Sequence, residues 1–362
     1  MRILLAVSTL SAGGAERMAS EFVNERAARN DQVALLTLSG SGSDHYALDP
    51  RVRRIGLDLL WESRNLWQSI ASNLRRGRMI RHVAKTFSPD IVLSFIEQTN
   101  IRVLAGLLGT GIPIIVSERT DPRHYRVGRS WEAARRLLYP MACAVVVQTE
   151  AVAGWAAEFV PKHKVRVIPN FVRTLPPVPD NQEREQLIIA MGRLDRYKGF
   201  DLLIRSFAAS RAGKEGWRLI ILGEGTEREH LEMLIRELGL TAQVNLPGVV
   251  AEPAEWLAQA LIFAFPSRLE GFPNALLEAM GMGCAVVASD CPSGPGEIVK
   301  HGEDGLLVPV DDAFKFTAAL DLLVEHPELA EALGEAAQTV RKRFSAGRIM
   351  GQWDNLISNI AC

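Results

Sequence analysis

The sequence predicts an α/β fold built from two Rossmann-like, doubly wound domains facing a cleft. Three observations carry that reading. Short apolar runs alternate with helical stretches along the whole chain, the order that builds sheets crossed by helices. The runs are continuous rather than alternating, as strands covered on both faces of a parallel sheet require. The pattern stops once, at 171–186, where "FVRTLPPVPDNQEREQ" brings three prolines and a charge run that read as a linker, and then restarts.

In the first half the expected strands are 3–7, 33–38, 91–95, 113–117, 144–148 and 165–169. A helix over 14–29 places Ala15, Met18, Ala19, Phe22 and Val23 on one face. In the second half they are 187–191, 218–222, 244–246, 261–265, 285–289 and 306–308, with a helix over 200–212. In each half the second strand starts about 30 residues after the first, a duplicated architecture without repeated sequence. A last helix over about 346–360 carries Ile349, Trp353 and Ile357 at helical spacing. At 362 residues the chain has room for two or three domains.

Composition excludes several classes. With 48% apolar and 23% charged residues the chain is an ordinary globular protein. Its net charge of −1 hides an asymmetry: residues 1–170 carry 23 Lys and Arg against 15 Asp and Glu, the remainder 18 against 27. The basic and acidic halves are expected to meet different partners. The four cysteines, 143, 284, 291 and 362, have neither C-x-x-C spacing nor a histidine cluster beside them. Disulfides and zinc are not expected, and a reducing cytoplasm fits. "MRILLAVSTL" reads as a buried first strand rather than a signal peptide, since "SAGGAER" follows it. No apolar run approaches the roughly 18 residues of a membrane span.

In doubly wound sheets, ligands bind beyond the strand carboxyl ends. The segments there are Gly13-Gly14, Glu118-Arg119, Gly192-Arg193 through Lys198, Gly223-Glu224-Gly225, and the stretch from Glu270 to Glu278. Arg193 and Lys198 lie five apart in one loop. They are either solvated surface charges or a fork and a point charge gripping one diphosphate. After the strand at 261–265, "NALLEAMGMG" reads as a helix starting near Pro273 or Asn274, whose exposed amides form an anion site. Gly271 permits close backbone approach. Glu278, about one turn in, is either a partner for the helix dipole or a carboxylate accepting two hydrogen bonds from a ribose diol. Glu270 is either an exposed loop acid or a grip on sugar hydroxyls.

These segments in this order resemble the retaining glycosyltransferases of family 4, over nearly the whole chain. The signature is two glutamates with seven residues between them, Glu270 and Glu278, supported by "GGAER", "GRLDRYKGFD", "LGEGTERE" and "DGLLVP". The resemblance implies the GT-B fold, with the last helix folded back onto the first domain. That gives an acceptor-side domain over 1–170 plus about 346–362, a linker, and a nucleotide-sugar domain over 187–345. It implies that Arg193 and Lys198 bind the donor diphosphate and that Glu278 binds the ribose. Glu270 contacts the donor sugar, and Gly192, Gly271, Phe272, Pro273, Asn274 and Ala275 line that site. Gly13 and Gly14 border the phosphate and the reacting sugar. It implies a UDP-linked donor and reaction on one face of the sugar, the leaving phosphate helping to deprotonate the acceptor. No D-x-D occurs, so no cofactor or metal is expected. Some relatives place a histidine after the strand that here ends at Ser117; Glu118 or Arg119 stands in that place. "SER-x-DP" and "CPSGP" resemble the branch that elongates lipopolysaccharide and other cell-surface or lipid-linked glycans, often from UDP-N-acetylhexosamines.

Residues 64–87 carry six Lys or Arg and no acid, with Leu66, Trp67, Ile70, Leu74, Ile80, Val83 and Phe87 mostly on one helical side. Two readings stand: a core-packed helix with a solvated face, or a helix on an anionic membrane or a lipid pyrophosphate acceptor. The second makes the protein peripheral on the cytoplasmic face. Gly77 in the middle costs about 1 kcal/mol of helix propensity. Competing classes are a nicotinamide dehydrogenase, a sugar-nucleotide epimerase of the same fold, and a non-catalytic binding protein retaining it. The dehydrogenase fits poorly, because after Gly223-Glu224-Gly225 the third glycine position holds Arg228.

Overall fold

The computed structural model describes residues 1–60, 66–125, 127–177 and 184–361. The chain separates into two compact units, Met1–Asn170 with Ile349–Cys362, and Phe171–Arg348.

The first unit contains β1 (Arg2–Val7), α1 (Gly14–Ala28), β2 (Gln32–Thr37), β3 (Arg53–Gly56), α2 (Leu66–Phe87) and β4 (Ile91–Phe95). It continues with α3 (Glu97–Gly106), β5 (Ile114–Ser117), α4 (Arg129–Leu138), β6 (Ala144–Val147), α5 (Glu150–Ala156) and β7 (Val165–Val167). The seven strands are parallel, in the order β3-β2-β1-β4-β5-β6-β7. On one sheet face Leu4, Ala6, Val92, Val116 and Val145 pack with Ile80 and Ala84 of α2 and Ile101 and Leu104 of α3. Phe95 meets Phe22 of α1, with ring centroids 6.2 Å apart.

The second unit contains β8 (Glu185–Met191), α6 (Phe200–Ala209), α7 (Arg211–Lys214), β9 (Arg218–Leu222), α8 (Arg228–Glu237), β10 (Val244–Gly248) and α9 (Pro253–Gln259). Then follow β11 (Ala260–Phe265), α10 (Asn274–Gly281), β12 (Ala285–Ser289), α11 (Pro295–Ile298), β13 (Leu306–Val308), α12 (Ala313–Glu325), α13 (Pro327–Ala337) and α14 (Val340–Arg343). Its six parallel strands run β10-β9-β8-β11-β12-β13. Apolar side chains on both sheet faces are enclosed by helices, which is why these strands read as unbroken apolar runs.

The last helix, α15 (Ala346–Ala361), brings Trp353 to within 5.3 Å of Phe22 and 6.2 Å of Phe95 between ring centroids. Trp353 is buried there, and Asp354 pairs with Arg26 and Arg29 of the first unit.

Three expectations change. Strand β3 escapes the pattern search because it is an edge strand carrying Arg53 and Arg54, and edges tolerate charge that central strands do not. The helix expected over 200–212 ends at Ala209, where Ser210 caps α7 through its hydroxyl to the Gly213 N–H. The start of the expected linker is packed: Phe171 and Val172 are buried, and the Val172 N–H donates to Phe344 O at 2.8 Å. Residues 178–183 lie outside the described residues.

The glycine inside α2 has a packing cause. A Cβ on Gly106 of α3 would lie 2.9 Å from Gly77 O, so the two helices touch backbone to backbone. A Cβ on Gly77 would meet Gly106 Cα at an ordinary 3.5 Å. Gly106→Ala is therefore expected to lower stability by about 1–2 kcal/mol in urea unfolding, overpacking outweighing the gain in propensity. Gly77→Ala is expected to be neutral or to stabilise by up to about 1 kcal/mol. Equal effects at the two positions would contradict this packing.

Candidate functional site

In the second unit β8 and β11 are neighbours, yet the chain leaves β8 for β9 on one side and β11 for β12 on the other. Such a reversal opens a crevice at the strand carboxyl ends. The loops after β8 and β11 carry the candidates. In the first loop Asp195 Oδ1 accepts the Tyr197 N–H at 2.9 Å and fixes the turn Arg196–Lys198. Gly199 closes it at φ 67°, where any Cβ would collide with Pro266 O. Arg268, from the second loop, ties the two together. Its N–H donates to Tyr197 O at 2.7 Å, and its guanidinium donates to Arg196 O at 2.7 Å and to both Asp201 oxygens at 2.9 Å.

The result is that Lys198 Nζ lies 2.6 Å from Glu270 Oε1, two candidates 72 residues apart in sequence. Pro273 caps α10, and the preceding loop is buttressed from the turn after β12. Ser293 Oγ donates to Gly271 O at 3.2 Å, while Gly294, at φ 98°, leaves no room for a Cβ beside Pro273. Phe272 anchors this loop edge-on to Phe344, 5.6 Å between centroids. Glu278 is 1% exposed inside α10, its Oε2 3.3 Å from Arg173 Nη2. Gly192 lies against the aliphatic stem of Lys198, Asn274 opens α10, and Ala275 is partly buried beside it. Arg193 takes a different partner from Lys198. It pairs with Asp195 at 2.7 Å, and its side chain is 73% exposed.

In the first unit Gly13 caps α1; its N–H donates to the Tyr46 hydroxyl at 3.2 Å, which donates back to Gly13 O at 3.1 Å. Gly14 begins the helix. The two candidates after β5 take different partners. Glu118 is buried, accepts from the Tyr139 hydroxyl at 2.5 Å and pairs with Arg135 at 3.2 Å. Tyr139 also receives a hydrogen bond from Asn100 at 3.0 Å. Burial pushes the Glu118 carboxyl up to about 7, with Arg135 holding it down. Arg119 instead lies over the Phe95 ring, 3.8 Å from its centroid, and donates to Asn170 Oδ1 at 2.8 Å. Burial brings its guanidinium down to about 9.

A model for glycosyl transferases group 1 matches residues 172–340, and one for glycosyltransferase family 4 matches residues 12–174. The chain belongs to glycosyltransferase family 4. This glycosyltransferase is 26% identical, over 99% of both chains, to a Campylobacter jejuni enzyme named for adding α-1,4-N-acetyl-D-galactosamine to a diphospho-undecaprenol-linked saccharide. A second C. jejuni N-acetylgalactosaminyltransferase is 29% identical over 74% of this chain and 76% of its own. In fold it matches sucrose-phosphate synthase from Thermosynechococcus elongatus with TM-score 0.86, at 20% identity over 99% and 98% of the chains. It also matches Staphylococcus aureus TarM, in a complex containing UDP, with TM-score 0.81 at 15% identity over 98% and 99%. Both are GT-B neighbours over essentially full length, as the two parallel-sheet units of this enzyme require.

Sequence reasoning missed Arg173, Arg268, Ser293, Gly294 and the Arg135–Tyr139 pair. Only the non-helical "CPSGP" turn carried a local signal; the others act across 17 to 105 positions and leave no short-range pattern.

In α2 the exposed face carries Arg75, Arg78, His82 and Lys85 together with Leu74 and Met79. Leu74 therefore lies on the basic side, not the apolar one. Arg76 and Arg81 turn inward, to Leu59 O at 2.8 Å and Gly106 O at 2.7 Å. Residues 64 and 65 and the side chains of Leu66, Trp67 and Ile70 lie outside the described residues. Among the described residues no helix is long and apolar enough to cross a membrane.

Because Glu118 is raised from 4.5 to about 7, the unfolded chain releases this proton first. Its contribution to stability is greatest below about pH 4.5 and is lost as pH rises towards 7. Glu118→Gln does not titrate, so the stability of the variant relative to wild type is expected to rise between pH 5 and 8 in urea unfolding. A pH-independent difference would contradict the assignment.

Proposed function

We propose that this glycosyltransferase moves a hexose or N-acetylhexosamine, with retention, from a UDP-linked donor to a lipid-linked saccharide or related glycan. The observation that carries the donor side is the meeting of Lys198 and Glu270 at the β8–β11 switch point, beside the amides that open α10. In this reading Lys198 and Arg193 take the diphosphate, Glu278 the ribose hydroxyls, and Glu270 the sugar. The leaving diphosphate gathers negative charge as the anomeric carbon becomes cation-like. Fixed positive groups aimed at that charge lower the barrier without reorganising. Lys198, held by Glu270 before the donor arrives, needs only to exchange one anionic oxygen for another. No step requires a metal ion, so activity in EDTA is part of the proposal.

The C. jejuni relatives support the acceptor class, since both are named for transfer to diphospho-undecaprenol-linked saccharides. UDP in the TarM complex is consistent with the donor. The exposed basic face of α2 fits an anionic bilayer, with Leu74 and Met79 entering the interface, which makes the enzyme peripheral on the cytoplasmic face.

UDP and UDP-N-acetylhexosamines are expected to raise the melting temperature. Lys198→Ala and Glu278→Ala should each weaken UDP by about 10- to 100-fold, the value of a charge-assisted hydrogen bond. Wild-type UDP binding in both variants would remove the donor site. Sugar conversion without an acceptor would point instead to an epimerase. On the membrane side, replacing Arg75, Arg78 and Lys85 by Gln should cost about 3 kcal/mol of affinity for anionic vesicles in flotation assays. Binding that ignores both salt and this triple substitution would exclude the α2 surface.

A further inference from the structure

Among the described residues four arginines of the first unit are buried: Arg26, Arg76, Arg119 and Arg135. Three have their charge or donors answered from within the fold. Arg26 pairs with Asp31 and Asp354, Arg135 with Glu118 and Glu132, and Arg76 is tied to Leu59 O and Asn73. Arg119 has no ion pair among the described residues and fewer answered donors. It is 9% exposed, its single hydrogen bond goes to the neutral Asn170, and no carboxylate lies within ion-pair distance among the described residues. Its Nε has no acceptor. Asn170 Oδ1 is shared, since it also accepts from Gln148 Nε2 at 2.6 Å.

The nearby acids are committed elsewhere. Glu118 is held by Tyr139 and Arg135, and Asp121 by a two-pronged pair with Arg123 at 3.0 and 2.7 Å. A desolvated cation is strongly disfavoured unless an anion answers it, and stacking on Phe95 with one neutral hydrogen bond answers it only in part. Of the five donors a guanidinium carries, one is used. On either side in sequence, Ser117 Oγ and Thr120 Oγ1 are also buried without a hydrogen-bond partner. A rigid fork with unused N–H groups, flanked by unused hydroxyls at a strand carboxyl end, has the chemistry of an oxyanion receptor.

We propose that Arg119 receives a phosphoryl anion, the diphosphate of one of the two substrates. The choice of diphosphate rests on the reading of donor and acceptor given above; the need for an anion rests on the first unit alone. Ligand binding supplies the counter-charge that the fold withholds, so the residue is costly to the empty enzyme and valuable to the loaded one. Glu118, next to it, is a positioning residue: through Tyr139 and Arg135 it fixes the backbone from which Arg119 projects.

The test titrates UDP and farnesyl diphosphate, by calorimetry and thermal shift, into wild type, Arg119→Met, Arg119→Lys and Lys198→Ala. Arg119→Met keeps the stem over Phe95 and removes the charge. It is expected to melt at or above wild type without ligand, and to bind one of the two diphosphates at least tenfold more weakly. Arg119→Lys should recover part of that affinity. A loss confined to UDP places the nucleotide's diphosphate at Arg119, and a loss confined to farnesyl diphosphate places the acceptor's. Affinities within twofold of wild type for both probes overturn the proposal, as does a lower melting temperature with both affinities retained, which would make Arg119 a packing residue. Lys198→Ala separates the two readings: unchanged UDP binding there removes the donor site while leaving the farnesyl diphosphate comparison at Arg119 intact.

Discussion

Strands β8 and β11 lie side by side while the chain departs from them in opposite directions, and helices cannot cover the point between their carboxyl ends. That constraint places the loops after them next to each other. Once adjacent, the loops must satisfy their own backbone, and Arg268 does much of this: its main-chain N–H donates to Tyr197 O, and its guanidinium donates to Arg196 O and to Asp201. The Lys198–Glu270 contact accompanies that stapling, since Lys198 sits two positions from Arg196, which Arg268 touches, and Glu270 two positions from Arg268 itself. The same reversal occurs between β1 and β4 in the first unit, and Arg119 follows the next strand along.

Most strands were legible because parallel strands buried on both faces leave unbroken apolar runs, as in "ILLAV" and "AVVAS". Strand β3 was not, since two arginines and a glycine in four residues carry no such run. The glutamate pair was legible because both members fall within one short stretch. Arg173 was not, because its contact with Glu278 joins the start of the second unit to a helix 105 residues later. Glu118 and Arg119 show a sharper limit. Adjacent in sequence and both charged, they look interchangeable as candidates. Only the partners that the fold supplies tell them apart: Arg135 for Glu118 and, among the described residues, no acid for Arg119.

The charge asymmetry needs the same correction. Four of the first half's arginines, Arg26, Arg76, Arg119 and Arg135, are interior, as are the acids Glu97, Glu118 and Asp121. What remains outside on α2 is a compact row one helical face wide, with two apolar side chains among the cations. Its interest lies in this local pattern, which net charge alone does not reveal.

The first unit draws its aromatic seat from segments on either side of the second unit: Phe22 and Phe95 wait for Trp353, and Arg26 for Asp354. Domains generally fold as they leave the ribosome, amino end first. Here the first unit's sheet lacks Trp353 over Phe22 and Phe95 until all of the second unit has been synthesised. Premature termination anywhere in the second half would therefore release a chain whose first half is already sticky, linking faithful completion of translation to solubility.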